Sequence, residues 1–567
     1  MIIIMNKRQL TLWGALILSG MALAFTGQAL LTAITANDIK GAANISGLEF
    51  TKPELDSMVK GLEEYRTYYT ENRALALPNG LSPAFVFNPQ PAGFKMPQFS
   101  MAGGYTSAQV KLPDDKNQLA FFSIQQLAHL ISTKQITSVE LTKFYIERLK
   151  KYDPKVKCVV TLMEEEALKQ AAKADEDLKG GTYKGILHGI PYGVKDLFAT
   201  KTGKTTWGSK PFKEQQFDYD ATVVKRLEDA GAVLVAKLST GYLAWGDEWF
   251  GGKTRNPWNL DSGSSGSSAG SAAAVSAGLV PFAIGTETYG SIVSPSATCG
   301  VTGLRTTFGR VSRYGAMALS WTMDKVGPIC RSGEECAIVL QTIVGPDSKD
   351  LSVAAVPFVY NNADKSNRFK LGYIKSEMEK VYPGSDKDMA TMEKLRDMGF
   401  ELVPLEWPQL PNIDFILEAE AAAAFDELTR TNKDDQLEKQ VRNAWPNVFR
   451  QARQIPAVEY IQAQRLRAKL IEEVNKMYAQ VDVIVHPATE GKGLLITNLT
   501  GHPSICVPNG FDNLKPSAIT FTGKLYDEAK LTAMAQSYQE FSGLLNNHPN
   551  LDNPRKPASL PAQPKKQ

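Results

Sequence analysis

The chain has 567 residues, of which 43% are hydrophobic and 22% are charged, and its formal net charge is +3. These values exclude a disordered chain, a polytopic membrane protein and a basic protein that wraps nucleic acid. The five cysteines have no C-x-x-C spacing, and no H-E-x-x-H motif occurs among the five histidines. Neither a disulfide framework, a structural zinc site nor a metalloprotease is therefore indicated.

The first 36 residues have the pattern of an export segment. The basic pair Lys7-Arg8 precedes an apolar stretch centred on residues 10–25. Residues 22–24 and 27–29 both offer the small-x-small pattern of a signal-peptidase site, but the stretch also approaches the ~20 residues that span a bilayer. We expect a cleaved signal peptide or an N-terminal anchor at 1–36, an extracytoplasmic or periplasmic location, and membrane contact through this segment only.

Three further segments follow from the composition. We expect a short helical segment and a Pro/Gly-rich connection over residues 37–120, and the main domain over 121–545. The last residues, 546–567, are rich in proline and are predicted to be disordered.

The main domain shows alternating helix and strand signals. Ser123 with Gln126 and Thr137 with Glu140 form capping-box pairs that predict two helix starts. Short apolar runs typical of strands occupy three ranges, 158–162, 232–236 and 481–485. Such alternation predicts an α/β architecture with a largely buried sheet.

One lysine and one Gly/Ser run are the candidates for chemistry. Lys195 and Asp196 form a single charged pair in an otherwise apolar and Gly-containing stretch, residues 189–198. A Gly/Ser run over 261–278 passes into an Ala-rich helix predicted at 269–277. Taken alone, such a lysine is typical of a solvated turn and such a run of a flexible linker. The helix and the apolar segment after it argue against a linker, because their lengths suit packing.

Three chemical interpretations compete for this region. Residues 246–254 almost fit the phosphate-loop pattern, but they are one residue too long and the prolyl segment at 255–257 interrupts the required helix. Residues 266–270 fit the G-x-S-x-G nucleophile elbow, but the preceding segment is polar where a buried strand is needed. The third interpretation is a serine nucleophile activated through a second serine by a lysine held neutral by burial, with Lys195 as the candidate.

Three ordered motifs resemble those of the amidase signature family. They are residues 189–198, Gly266-Ser-Ser-Ala-Gly-Ser-Ala-Ala-Ala-Val, and Gly285-Thr-Glu-Thr-Tyr-Gly-Ser-Ile-Val-Ser-Pro. The last block has the form found in the peptide-amidase-like branch, and the likeness extends from about residue 122 to about 545. It implies an α/β amidase-signature fold, with a large mixed, twisted β-sheet covered by helices on both faces.

The resemblance also implies roles for individual residues. Ser291 would be the nucleophile, Ser267 the bridging serine preceded by a cis peptide bond, and Lys195 the base. The oxyanion would be held by the backbone N–H groups of Thr288, Tyr289, Gly290 and Ser291. No metal or organic cofactor is implied. To act near neutral pH, the lysine needs a pKa well below its usual ~10.4, and we expect burial and the N-terminus of the helix after Ser267 to lower it.

Other residues bear on the substrate pocket. Tyr289 departs from the family pattern, which usually has Gly and, in this branch, commonly Asp at that position. Its side chain would border the nucleophile, and it would be disfavoured if the position required a positive φ. Trp321 and Met323 are further candidates for the pocket wall. Glu418 and Glu420 diverge on an apparent helix, so we interpret them as structural or pocket-lining rather than as an acid/base pair.

The function predicted from these residues is hydrolysis of a carboxylic amide C–N bond through an acyl-enzyme, with release of ammonia or an amine. The substrate would be a small-molecule or peptide amide, and the oligomeric state is left open. Two alternatives stay open as well. One is an exported binding protein without turnover on the same fold. The other is an A-subunit-like glutaminase of a tRNA-dependent amidotransferase, which the export-like leader and the near-zero charge disfavour, so that no nucleic-acid partner is expected.

Overall fold

The computed structural model describes residues 32–75, 77–97, 104–361, 369–409, 411–512 and 515–552. Most of the predicted signal peptide or anchor at 1–36 lies outside these residues, as does most of the predicted tail at 546–567. None of the helices in the described ranges is both long and apolar enough to cross a bilayer. The chain divides into two compact units, Met1–Pro78 and Asn79–Gln567.

The N-terminal unit contains two helices, α1 (Ala36–Ile45) and α2 (Lys52–Arg73). Each begins with a capping box, at Thr35 and at Thr51 respectively, which pairs backbone N–H groups that a helix N-terminus otherwise leaves free. Few of the side chains on these helices are buried. The Pro/Gly-rich residues from 79 onward belong to the second unit, whereas the sequence placed the domain boundary at 120. One reason is a pair of hydrogen bonds between the Asn79 side chain and the Ala318 backbone. Asn79 Oδ1 accepts from the Ala318 N–H at 2.7 Å, and Asn79 Nδ2 donates to the Ala318 carbonyl oxygen at 2.9 Å.

An eleven-stranded mixed sheet forms the centre of the second unit, in the order β1-β3-β2-β8-β10-β9-β14-β15-β13-β11-β12. Its strands are β1 (Val159–Leu162), β2 (Pro191–Lys195), β3 (Val233–Leu238), β8 (Phe282–Glu287), β9 (Thr302–Arg305), β10 (Lys325–Cys330), β11 (Lys370–Ile374), β12 (Glu401–Leu405), β13 (Val483–Pro487), β14 (Ser504–Asp512) and β15 (Lys515–Gly523). Two small hairpins add β4 (Glu248–Trp249) with β5 (Gly252–Lys253), and β6 (Arg255–Asn256) with β7 (Asn259–Gly263). β3, β2 and β8 pair in parallel, as do β13, β11 and β12, and the strands from β8 to β13 pair antiparallel. At one edge of the sheet, β1 pairs antiparallel with β3.

The α-helices of the second unit follow in chain order. They are α3 (Ile124–Ser132), α4 (Ser138–Val156), α5 (Glu164–Lys179), α6 (Thr222–Asp229), α7 (Ala269–Ser276), α8 (Val293–Cys299), α9 (Gly333–Ile343), α10 (Lys375–Met378), α11 (Ser385–Asp397), α12 (Phe415–Ala424), α13 (Asp426–Arg430), α14 (Trp445–Ala452), α15 (Ala457–Met477), α16 (Gly493–Thr500) and α17 (Glu528–Ser542). The capping boxes predicted at Ser123 and Thr137 are confirmed at the starts of α3 and α4.

Helices cover both faces of the sheet. On β8, Phe282 and Ile284 belong to one apolar cluster and Ala283 belongs to another. Because neighbouring residues of a strand point to opposite faces, the two clusters lie on the two sides of the sheet. One contains side chains of α9 and α17, and the other contains the Ala-rich helix α7. The predicted α/β fold with a large mixed sheet covered by helices on both faces is confirmed.

Two neighbouring strands position the candidate chemistry. β2 and β8 pair in parallel, with Val194 opposite Ile284, so that their carboxyl ends lie at the same edge of the sheet. Lys195 is the last residue of β2, and Ser291 follows the end of β8 by four residues. The strand order therefore brings together residues that are almost a hundred positions apart in the sequence.

Candidate active site

Lys195 is completely buried and contacts one of the two candidate serines. Its Nζ donates to Ser267 Oγ at 2.9 Å and to Thr286 Oγ1 at 3.0 Å. The neighbouring Asp196 is engaged elsewhere, since its carboxylate lies 3.2 Å from the buried Nζ of Lys237. The Lys195 amine is consequently held by hydroxyl groups, with no carboxylate in direct contact among the described residues.

Burial lowers the pKa of Lys195 to about 7, because the charged form loses its hydration. Two carboxylates at a greater distance, Asp324 and Glu287, act in the opposite direction and favour the charged amine. Near neutral pH a substantial fraction of the lysine is therefore uncharged and able to accept a proton. The lowering expected from the sequence is present, and burial is its main cause.

Ser267 is buried and lies two residues before α7, whose N-cap is Ser268. The peptide bond between Gly266 and Ser267 is cis, as the family resemblance implies. The adjacent hydroxyl of Ser268 is occupied, because it donates to the carbonyl oxygen of Thr286 at 3.1 Å and accepts from the Thr286 N–H at 3.2 Å. Ser268 is the serine that the G-x-S-x-G interpretation requires, and it is fully buried in these contacts. The nucleophile-elbow interpretation is thus wrong.

Ser291 lies at the turn that connects β8 to α8. Its carbonyl oxygen accepts from the Ser268 N–H at 3.0 Å, which ties the turn to the start of α7. Gly290 has φ +89°, and a Cβ there would lie 2.9 Å from Ser294 Oγ, so glycine fits this position. Tyr289 does not have a positive φ, and the backbone conflict considered for it does not arise.

The backbone N–H groups at this turn have the arrangement that an oxyanion site needs. Among the described residues, no acceptor receives a hydrogen bond from the N–H of Tyr289, Gly290 or Ser291. The next two N–H groups, of Ile292 and Val293, donate to the Glu287 carboxylate instead, at 2.8 and 2.9 Å. Consecutive free donors beside a serine hydroxyl are suited to hold a negatively charged oxygen.

Glu287 is the residue that shapes this turn. Its buried carboxylate also accepts from Arg305 Nη1 at 2.9 Å and from Asn498 Nδ2 at 2.7 Å. Burial favours the neutral acid, but the Arg305 charge and the hydrogen bonds outweigh it and lower the pKa of Glu287. A charged carboxylate at the N-terminus of α8 thus fixes the backbone just after Ser291.

A cavity of about 430 Å³ opens in front of the serines. Ser267 and Ser291 both line it, together with Gly266, Thr288 and Tyr289. Among the described residues, the Ser291 hydroxyl has no hydrogen-bond partner, and in particular it is not hydrogen-bonded to Ser267. A molecule in the cavity would therefore meet the Ser291 hydroxyl directly, with Ser267 and the buried Lys195 behind it.

The comparison with known families decides the membership. The model of the amidase family matches residues 140–496, which is more than half of the chain and includes Lys195, Ser267 and Ser291. The chain belongs to the amidase signature family. Its curated relatives include the A subunit of glutamyl-tRNA(Gln) amidotransferase from Marinomonas sp. (strain MWYL1), which is 33% identical over 469 residues and matches over 74% of this chain and 96% of its own length.

Solved structures of amidase signature proteins have the same fold. The peptide amidase from Stenotrophomonas maltophilia is 29% identical with a TM-score of 0.69, and the match covers 76% of this chain and 98% of that one. An amidase family protein from Bacillus anthracis is 26% identical with a TM-score of 0.69, and covers 78% of this chain and 93% of its own. Membership in this family supports hydrolysis of amides as the activity.

The two further pocket residues proposed for this amidase-family chain occupy different places. Trp321 lines a smaller cavity of about 50 Å³, which shares Thr288 and Leu319 with the larger one. Met323 is 1% exposed and packs in a separate apolar cluster with Ile413 and Ile416. The prediction that Met323 forms the pocket wall is wrong, because its side chain points into the core.

The side chains of Glu418 and Glu420 lie in different surroundings, as their spacing of two residues on a helix predicts. Glu418 lines the large cavity, whereas Glu420 is buried and structural. The Glu420 carboxylate accepts from Ser320 Oγ, Thr322 Oγ1 and Tyr460 OH, each at 2.7 Å.

The phosphate-loop interpretation of residues 246–254 is wrong, since the segment forms the β4–β5 hairpin rather than a loop that opens a helix.

Several residues that organise the site escaped the sequence analysis. Thr286 holds the Lys195 amine, and Glu287 with Arg305 holds the turn at Ser291. The sequence did contain a signal for the ion pair between Glu287 and Arg305. Glu287 ends β8 and Arg305 ends β9, and neither strand has another charged residue. Charged residues in buried strands are rare unless they are paired.

Proposed function

We propose that the protein hydrolyses carboxylic amides through Ser291, Ser267 and Lys195, with an acyl-enzyme intermediate. The observation that carries the proposal is the buried amine of Lys195, with a pKa of about 7, at 2.9 Å from the Ser267 hydroxyl. A binding protein has no need of an uncharged lysine in contact with a serine, whereas a general base does.

In the first step, Ser291 Oγ attacks the amide carbonyl carbon and a C–O bond forms. The Ser291 proton moves to Ser267 Oγ while the Ser267 proton moves to the Lys195 amine, which becomes charged. The carbonyl oxygen becomes an oxyanion, held by the free N–H groups at Tyr289 and Gly290. Each such donor is worth about 3–4 kcal/mol in the barrier.

In the second step, the C–N bond breaks and the proton returns along the same route to the leaving nitrogen. Ammonia or an amine departs, and an ester to Ser291 remains. Water then attacks the ester, with Lys195 again the base through Ser267, and the carboxylic acid is released. The Ser267 and Ser291 hydroxyls form a hydrogen bond when substrate fills the cavity. Catalytic hydrogen bonds are commonly long or absent in an empty site and form when substrate binds.

Labelling with a fluorophosphonate probe tests the nucleophile, since such probes react with activated serines. The wild-type protein is expected to be labelled, and the Ser291→Ala variant is not. Ser294→Ala is the matched control, because Ser294 lines the same cavity. Labelling retained in Ser291→Ala, or no labelling of the folded wild-type protein, would contradict the proposal and favour the binding protein.

A second candidate function is that of a glutaminase subunit in a tRNA-dependent amidotransferase. It is favoured by the curated relatives, which are named as A subunits of such an enzyme and are 33–34% identical. Glutamine hydrolysis by the isolated chain, tested against simple primary amides, distinguishes the two. A strong preference for glutamine, increased by other amidotransferase subunits, would support this second function.

We also propose that the chain is exported by its first 36 residues, where a basic pair precedes an apolar stretch. Fractionation of cells that express the full chain, followed by N-terminal sequencing, tests this. An extracytoplasmic protein is expected, either shortened near residue 24 or 29 or held in the membrane fraction. A full-length cytoplasmic protein would refute the proposal.

A further inference from the structure

The lining of the cavity in front of the serines includes negatively charged side chains. Glu418, on α12, lines the cavity, and among the described residues its carboxylate has neither a hydrogen bond nor an ion pair. Asp414 immediately precedes α12 and likewise has no ion-pair partner there. Asp247 also lines the cavity, accepts from the Ser265 N–H at 3.1 Å and lies 3.9 Å from Lys253 Nζ. None of the described residues lining the cavity is Lys, Arg or His.

We propose that Glu418 determines specificity by binding a cationic group of the substrate, an alkylammonium or a guanidinium. The inference rests on the proposed function and names a substrate class for it: amides that carry a positive charge on the part of the molecule facing α12. The scissile carbonyl would lie at Ser291, and the cation would lie across the cavity against Glu418, with Asp414 adding to the attraction.

Aromatic side chains in the lining of the same cavity fit a cation as well. Tyr289, Trp245 and Trp445 all line the cavity, and an ammonium or guanidinium over an aromatic face gains about 0.5–2 kcal/mol. Tyr289 is the position that departs from the family pattern, and it is 46% exposed. A large aromatic residue beside the nucleophile thus narrows the cavity and supplies a surface that a cation can contact.

A second carboxylate, that of Asp414, lies near Glu418 and Tyr289 and also favours a cation in the cavity. Burial, and then the nearby Asp414 carboxylate, raise the pKa of Glu418, and burial and Asp414 also raise the pKa of the Tyr289 hydroxyl. The Asp414 carboxylate, which has no ion-pair partner among the described residues, therefore adds negative charge near both side chains. A bound cation would relieve this repulsion, whereas an anionic substrate would increase it.

Two substrates of matched shape test the inference: N-acetyl-lysine amide and N-acetyl-norleucine amide, which differ by one terminal amine. The ratio of their kcat/KM values is the readout, and we expect it to favour the lysine amide. Glu418→Gln is expected to lower the ratio roughly two- to fivefold, the range for a partly exposed ion pair. Glu472→Gln, an exposed residue on α15, is the matched control and is expected to leave the ratio unchanged.

The possible outcomes separate the two proposals. A ratio near one in the wild-type protein, or a ratio that Glu418→Gln leaves unchanged, overturns the inference alone. Labelling of Ser291 by the fluorophosphonate without hydrolysis of the lysine amide also overturns the inference alone. No labelling and no hydrolysis of either amide overturns both proposals. If the ratio favours lysine and falls in Glu418→Gln, it should also fall as salt rises, because salt screens an exposed pair.

Discussion

The protonation of Lys195 should be measurable as a change in stability as well as in activity. Its pKa is about 7 in the folded protein against an ordinary value of 10.5. Between these two values the unfolded chain binds a proton that the folded protein does not. Stability therefore rises with pH across this interval, and the full penalty applies below about pH 7.

The size of the effect follows from the two pKa values. At 1.36 kcal/mol for each pH unit, the interval from about 7 to 10.5 corresponds to about 5 kcal/mol of destabilisation when the lysine is charged in its buried place. Between pH 6 and pH 10 about 4 kcal/mol of this is relieved. Replacing Lys195 by Met removes the titrating group while it keeps the chain length and the apolar stem.

The assay is urea unfolding of the wild-type protein and of Lys195→Met at a series of pH values. The quantity of interest is the free energy of unfolding of the variant minus that of the wild type, because other titrating groups cancel in this difference. We expect the difference to be largest near pH 6 and to fall by about 4 kcal/mol by pH 10. Lys469→Met, at an exposed position on α15, is the control and should show no such trend.

The pH dependence of activity provides the second measurement. Wild-type kcat/KM should rise with pH and level off above an apparent pKa near 7, since only the neutral amine accepts the proton. Lys195→Met should lose most activity at neutral pH and less at alkaline pH, where hydroxide partly replaces the base. A stability difference that does not vary with pH, together with equal activity losses at every pH, would refute the base role of Lys195.

Three further predictions concern the turn at Ser291. Gly290→Ala should reduce kcat/KM at least tenfold, because the new Cβ would lie within 3.0 Å of two side chains. Gly399 has a similar φ with open space around it, so Gly399→Ala is the control and should leave kcat/KM unchanged. Equal effects of the two substitutions would contradict the steric argument. Glu287→Gln should lower the free energy of unfolding by about 3–5 kcal/mol, because it leaves the buried Arg305 charge without its partner, and a loss below 1 kcal/mol in urea unfolding would disprove this role. Tyr289→Gly should raise kcat/KM for bulky amides relative to acetamide, and an unchanged ratio would show that this side chain does not limit substrate size.

Local features of the fold were predictable because neighbouring residues determine them. The capping box at Thr137 requires only Glu140 three residues later, and the structure contains both hydrogen bonds. The apolar run at 232–236 is observed as β3 (Val233–Leu238). The Ala-rich helix predicted at 269–277 is observed as α7 (Ala269–Ser276). It begins inside the motif that starts at Gly266, with Ser268 as its N-cap.

Features that depend on strand pairing were not predictable in the same way. Thr286 meets Lys195 because β2 and β8 pair in one particular register, and no short sequence pattern encodes that contact. Met323 was named as a candidate for the pocket wall, but the sequence does not show which way its side chain points, and the structure buries it in an apolar cluster with Ile413 and Ile416. Glu287 and Arg305 end two strands that are separated by β10 in the sheet, so the ion pair between them appears only once the sheet is assembled.

The residues proposed for bond cleavage and those proposed for selectivity come from separate parts of the chain. Lys195, Ser267 and Ser291 lie within one stretch of about a hundred residues, at the end of β2, before α7 and at the turn after β8. Another part of the cavity lining comes from α12 and α14, which begin more than a hundred residues later. Substitutions in those two helices can change which amide is accepted while they leave the reacting hydroxyls and amine in place. Natural variation or engineering can thus diversify this scaffold in one segment at a time.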